Sequence, residues 1–142
     1  MFDFRHGYEN RIDKLWGRER WIVNNDLYCG KVLDLNQATS SSIHYHKKKT
    51  ETFHVIYGKC FVSVFASVAG EPFDRSSETV LIMRTGDSLT LGPFTPHKFY
   101  CSEEQLGCTI LEISTPHSDE DVVRIEQSKL LVKEEYGSSI RS

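Results

Sequence analysis

The four cysteines, Cys29, Cys60, Cys101 and Cys108, form no CxxC or CxH spacing, which argues against structural zinc held on thiols. No apolar run approaches the roughly 20 residues of a membrane span. The first residues carry Asp3, Arg5, Glu9, Arg11, Asp13 and Lys14 where a signal peptide needs an apolar core. A cytoplasmic protein with reduced thiols and no membrane contact is the expectation. The net charge is only −3, so bulk electrostatics gives no reason to expect a nucleic-acid partner. A Gly-rich phosphate loop, a repeat of solenoid period and a long helical periodicity are all missing.

What is present fits one soluble domain with a real core: 142 residues, 39% hydrophobic and 26% charged. Residues 1–20 are charged and irregular, with Phe2, Phe4 and Trp16 among the charges, and suggest an arm draped over the core or over a partner subunit. A homodimer is expected, because small barrels often pair their sheets and such an arm needs somewhere to bury. Short strands follow: one at Trp21–Val23, one after Gly30, one at Ser42–His46 and one at Glu51–Tyr57. The last has Glu51, Phe53, Val55 and Tyr57 on one face and His54 on the other. Gly58-Lys59 reads as a tight turn into Cys60–Ser67. Further strands are expected at Thr79–Met83, Ser88–Leu91, His97–Tyr100 and Cys108–Ser114. Beyond Pro116 a short helix or extended arm, capped by Ser118, leads to a frayed tail from Gly137. The pattern predicts an all-β antiparallel barrel or jelly roll over 21–115, with an N-terminal arm (1–20) and a C-terminal extension (116–142).

The chemistry concentrates in His44-Tyr45-His46-Lys47-Lys48-Lys49-Thr50-Glu51. Side chains alternate along a strand, so His44 and His46 point the same way and can reach one ion. An HxH by itself is an ordinary surface pattern beside a lysine run. Glu51, and His97 after Pro96, extend it to three nitrogens and one carboxylate. That set suits a divalent transition metal, Zn, Mn, Fe or Ni, with positions left for substrate. Lys47–Lys49 reads as a solvated loop, and Tyr45 as packing on the face away from the ligands.

From the first histidine onward, His44-x-His46-x4-Glu51-x6-Gly58 resembles the first motif of the cupin superfamily, G-x5-HxH-x3,4-E-x6-G, with Ala38 at the leading glycine. Gly86 and His97 fit its second motif, G-x5-P-x-G-x2-H-x3-N. There Gly92, Phe94 and Cys101 stand where proline, glycine and asparagine are usual, which puts the turn geometry in question. The resemblance implies a double-stranded β-helix with His44, His46, Glu51 and His97 as metal ligands. Lys14-Leu15-Trp16-Gly17 and Leu111–Thr115 with Glu120–Glu126 look like segments of type II mannose-6-phosphate isomerase cupins and of small isomerase-like cupins. The nucleotidyltransferase domain fused to many of those enzymes has no counterpart in these residues, so no pyrophosphorylase activity is expected.

The resemblance implies a metal-dependent isomerase of a sugar or sugar phosphate. Such an enzyme needs a base to carry a proton between C1 and C2. Glu112 is the candidate, with Ile110 and Ser114 on its face; the alternatives are a solvent-facing carboxylate or a pairing with a lysine. Arg124 and Lys98 are candidate substrate-binding cations, Arg124 through its fork of donors unless Glu120 or Asp121 pairs with it. A non-haem iron dioxygenase and a non-catalytic sugar-binding cupin remain alternatives, since one donor set serves several chemistries.

Overall fold

The computed structural model describes residues 1–131, and within them the chain forms strands with short connections and no α-helix. The strands are β1 (Asn10–Lys14), β2 (Gly17–Asn24), β3 (Cys29–Leu35), β4 (Thr39–Ser40), β5 (Ile43–His46), β6 (Glu51–Val64), β7 (Thr79–Arg84), β8 (Ser88–Leu91), β9 (His97–Cys101), β10 (Cys108–Ser114), β11 (Val122–Glu126) and β12 (Lys129–Leu130). The pairings are antiparallel. One side runs β1-β2-β3-β10-β6, with β8 also on β6; the other sets β6 against β7 and β9, and β9 against β4 and β5. Alternation does the sorting. On β10, Cys108, Ile110, Glu112 and Ser114 are buried while Ile113 is exposed. Inward residues such as Phe53, Val55, Val62, Phe99 and Ile110 close a core between the two sides. This is the cupin double-stranded β-helix expected above, a curled antiparallel half-barrel.

The N-terminal segment differs from the expected arm. Only residues 1–9 precede the sheet, because β1 and β2 form a hairpin turning at Leu15 and Trp16, and β2 continues onto β3. The charges of the expected draped arm are in part paired across strands. Arg18 and Arg20 both donate to the Asp34 carboxylate, their Nε atoms 2.7 and 2.8 Å from its Oδ2. Trp16 is buried in the core.

The expected turn at Gly58-Lys59 is also absent, since β6 runs unbroken through it and passes from one side of the barrel to the other. Its register against β10 shifts between Thr109 and Ile110, which leaves Ile56 as an extra, bulged residue. The bulge turns Tyr57 to solvent instead of the face shared by Glu51, Phe53 and Val55. Gly58 sits at φ +92°, and a Cβ there would meet the Gly107 carbonyl oxygen at 2.5 Å. Gly58→Ala therefore combines backbone strain with a backbone clash, and a loss of at least about 2 kcal/mol is expected in urea unfolding.

Among the described residues two non-glycine residues have positive φ: Ala38 (+55°) and Phe94 (+61°). They occupy the positions at which the two sequence motifs call for glycine, so the left-handed turns persist without it and store some strain. Past Pro116, the segment expected as helix or arm is the 3-10 turn Asp119–Asp121 and then β11, which pairs with β5. Ser118 makes no side-chain cap there. The tail expected from Gly137 lies outside the described residues. Among the described residues no helix is long and apolar enough to cross a membrane.

Candidate metal centre and cavity

β5 carries His44 and His46 on its inward face, and β9 brings His97 opposite His44. The ring centres of His44 and His97 are 4.6 Å apart, those of His44 and His46 5.5 Å. Glu51, at the start of β6, places Oε2 3.3 Å from His97 Nε2 and 3.5 Å from His46 Nε2. All four side chains predicted as ligands thus come together. Two donors bound to one ion at about 2.0–2.2 Å stand roughly 3.0–3.5 Å apart, and the two donor spacings from Glu51, to His97 and to His46, lie in that range. Among the described residues, however, no group of three or more His, Cys, Asp or Glu side chains is placed so as to hold a metal ion as it stands; the contacts run pairwise through the Glu51 carboxylate.

The outer nitrogens carry the fit further. His97 Nδ1 lies 2.9 Å from the Thr95 carbonyl and His44 Nδ1 3.1 Å from that of Ser42. A carbonyl only accepts, so each Nδ1 donates and, in the neutral ring, each Nε2 is left with a lone pair; the same tautomer of His44 lets Nδ1 donate to the Ser42 hydroxyl as well, at 2.9 Å. His97 Nε2 is buried without a hydrogen-bond partner while facing an acid. Two acceptors face to face require a cation between them, a proton or a metal ion. His46 Nδ1, also without a hydrogen bond, stands 3.5 Å from Asp121 Oδ2. Imidazoles oriented from behind by carbonyls and a carboxylate are a common support for metal ligands.

Electrostatics agrees with this. Burial, and then the neighbouring His97, holds His44 well below its usual range; burial takes His46 to about 4. Both are therefore neutral at pH 7, the form that binds metals. Burial opposes charge on His97 too, but Glu51 outweighs it and raises His97. Burial likewise pushes Glu51 up, yet His97 and Lys49 hold it well below the usual carboxylate range.

Lys49 departs most from expectation. It does not lie in a solvated loop: it is 3% exposed, with Nζ 2.6 Å from Glu112 Oε2 and 3.5 Å from Glu51 Oε1. Burial lowers its pKa, but the two carboxylates prevail and raise it. Lys49 falls between β5 and β6, outside any strand, so alternation could not place it. Glu112 faces the cavity and pairs with a lysine at once. Lys49 Nζ also donates to His117 Nδ1 at 3.2 Å, and His117 Nε2 then donates to Asp119 at 3.0 Å. Asp121 accepts from the backbone N–H groups of Lys48 and Lys49 at 2.8 and 3.1 Å and so fixes this segment beside His46. Neither His117 nor Asp121 had a local sequence signal.

A cavity of about 140 Å³ opens over these groups, walled also by Trp16, Trp21 and Lys31 from the first three strands and connections. A space of roughly 150 Å³ takes one six-membered ring. Arg124, opposite His44 on β11, lines this cavity, is exposed, and makes no ion pair with Glu120 or Asp121 among the described residues. Lys98 does not line it: it alternates to the outer face of β9, its Nζ 5.2 Å from the centre of the Tyr100 ring. Tyr45 packs near Phe94, ring centres 6.0 Å apart. His54 faces outward, 2.7 Å from Ser88 Oγ. All four cysteines are free and buried.

No family model matches the chain, and no curated protein matches it in sequence. Solved structures do match in shape. Oxalate decarboxylase from Bacillus subtilis superposes with a TM-score of 0.65 at 20% identity, over 83% of this chain and 30% of that one. L-ribose isomerase from Cellulomonas parahominis gives 0.60 at 16%, over 70% and 62%. KdgF from Halomonas sp. gives 0.57 at 12%, over 72% and 81%. The chain spans about a third of the length of the oxalate decarboxylase. These likenesses give the class: a cupin-fold protein.

Proposed function

We propose that this cupin is a metal-dependent aldose–ketose isomerase of a sugar or sugar phosphate, of the mannose-6-phosphate isomerase-like kind. The observation that carries the reading is the buried Lys49–Glu112 pair beside the three imidazoles and Glu51. His44, His46, Glu51 and His97 would hold the ion. When bound, a divalent ion supplies Lewis acidity and a template for two neighbouring oxygens. Glu112 takes the proton from one substrate carbon and returns it to the next. Lys49 keeps that carboxylate oriented and supplies positive charge where negative charge develops on oxygen. Trp16 and Trp21 shelter the space from water, and Arg124, at the exposed side, draws an anionic substrate towards it. The named neighbour L-ribose isomerase supports sugar isomerisation on this fold, and only as analogy.

A second reading, a sugar-binding cupin without catalysis, is favoured by one feature: Glu112 is already held by an ammonium at 2.6 Å. Protein loaded in turn with Mn, Zn, Fe and Ni, then incubated with aldoses and aldose phosphates in deuterated water, separates the two. Isomerisation puts deuterium at C2 of at least one compound. Saturable binding without exchange sinks the isomerase and leaves the binding module. Oxygen uptake by the iron form alone would point to the dioxygenase alternative.

A further inference from the structure

Lys31 is 2% exposed, on β3, and lines the cavity. Its ammonium sits 4.1 Å from the centre of the Trp21 ring and 3.8 Å from Glu19 Oε1. The first contact is with a ring face and the second is too long for a hydrogen bond. Glu19 is engaged elsewhere: its Oε1 accepts from the Trp21 indole N–H at 3.0 Å, and its Oε2 faces Lys14 Nζ at 3.9 Å. Among the described residues no acceptor takes a hydrogen bond from Lys31. Lys31 Nζ is not among the enclosed polar atoms that lack a partner, so its donors open into the cavity, where an acceptor on a ligand can meet them.

The charge of the whole cavity points the same way. Four cations line it or its rim, Lys14, Lys31, Lys49 and Arg124, against the four acids Glu19, Glu51, Glu112 and Asp119. With neutral imidazoles these balance, so a divalent ion on the candidate ligands leaves an excess of positive charge that an anionic ligand would offset. Trp21 leads to His117 at 5.2 Å and His117 to His46 at 6.3 Å between ring centres, so Lys31 and the imidazoles border one small space.

We propose that Lys31 seats an acidic group, carboxylate or phosphate, of a sugar-sized ligand whose other end faces His44 and His46. The inference deepens the sugar reading and rests on it only in requiring that the cavity receive a sugar-sized molecule; it does not require isomerisation. The seat lies inside the cavity, whereas Arg124 stands at its exposed side.

Both tryptophans of the chain, Trp16 and Trp21, line the cavity, so intrinsic fluorescence reports its occupancy. The probes are glucose, mannose and galactose, each with its uronate and its 6-phosphate, titrated into metal-loaded protein. At least one acid should bind about tenfold or more tightly than its neutral parent. Lys31→Met should remove that preference, Lys31→Arg should keep most of it, and neutral sugars should bind all three proteins alike. Which acidic series wins identifies the group as carboxylate or phosphate. In the unaltered protein, inorganic phosphate should displace the acids and spare the neutral sugars, a measurement that needs no variant to fold. Equal binding of acids and neutral sugars, preference surviving Lys31→Met, or no acid bound at up to about 10 mM would each overturn the proposal. Acid preference without deuterium exchange would remove the isomerase and leave Lys31 in place.

Discussion

Glu112→Gln should lower the rate of C2 deuterium exchange by about 10²- to 10⁴-fold while leaving metal content unchanged. The substitution preserves shape: the amide oxygen can still accept from Lys49 Nζ, now 2.6 Å from Glu112 Oε2. What it removes is the ability to carry a proton. Because Glu112 is not one of the four candidate ligands, stoichiometry by elemental analysis should stay that of the parent. Loss confined to the rate constant, with KM near its original value, is the pattern of an interaction made in the transition state. A rate within about tenfold of the parent would reduce Glu112 to a counter-ion of Lys49 and return the role of base to an unnamed group. A variant that also lost its metal would show that Glu112 acts through the ligand set.

The fold class and the four candidate ligands were legible in the sequence because both depend on alternation. His44 and His46 share a face by parity, and Glu51 opens a strand whose odd residues are apolar as far as Val55. Alternation fails where an extra residue enters, so the bulge at Ile56 hid the outward turn of Tyr57 and made Gly58 look like a hairpin. It is silent between strands. Lys49 falls between β5 and β6, where a run of three lysines reads as solvated, and only the facing carboxylates of Glu51 and Glu112 make its burial tolerable. The β1–β2 hairpin was hidden for the same reason, since Arg18 and Arg20 look exposed until Asp34 is placed between them. His117 and Asp121 become visible only when β10 and β11 close beside β5, contacts that join residues more than 60 positions apart. Lys98 shows the converse error: adjacency to a ligand in sequence is opposition in a strand.

Lys49→Met should destabilise the metal-free protein by about 3–5 kcal/mol, more than any other single change considered. The side chains of Lys49, Glu51 and Glu112 are 2, 3 and 7% exposed, so removing the ammonium leaves two carboxylates in one dry site. Methionine fills the volume of the stem, and the loss is therefore of charge and not of packing. The raised pKa of Lys49 means its contribution is complete below its ordinary value and lost only as pH rises through the higher one, beyond the reach of neutral-pH titration. The carboxylates give the accessible sign. Glu51 is held low in the parent, so its stabilising effect is present above the ordinary carboxylate pKa and fades as pH falls. The gap between parent and variant should accordingly be widest near pH 7 and narrow below about pH 4, where the orphaned acids protonate. Adding Mn²⁺ or Zn²⁺ should raise the unfolding midpoint of the variant more than that of the parent, because the ion then neutralises acids that have lost the Lys49 ammonium. Lys49→Arg should recover part of the stability by restoring charge. A loss below about 1 kcal/mol at pH 7, with no difference in the response to metal, would mean that water reaches these carboxylates and that the buried network is not what holds the site together.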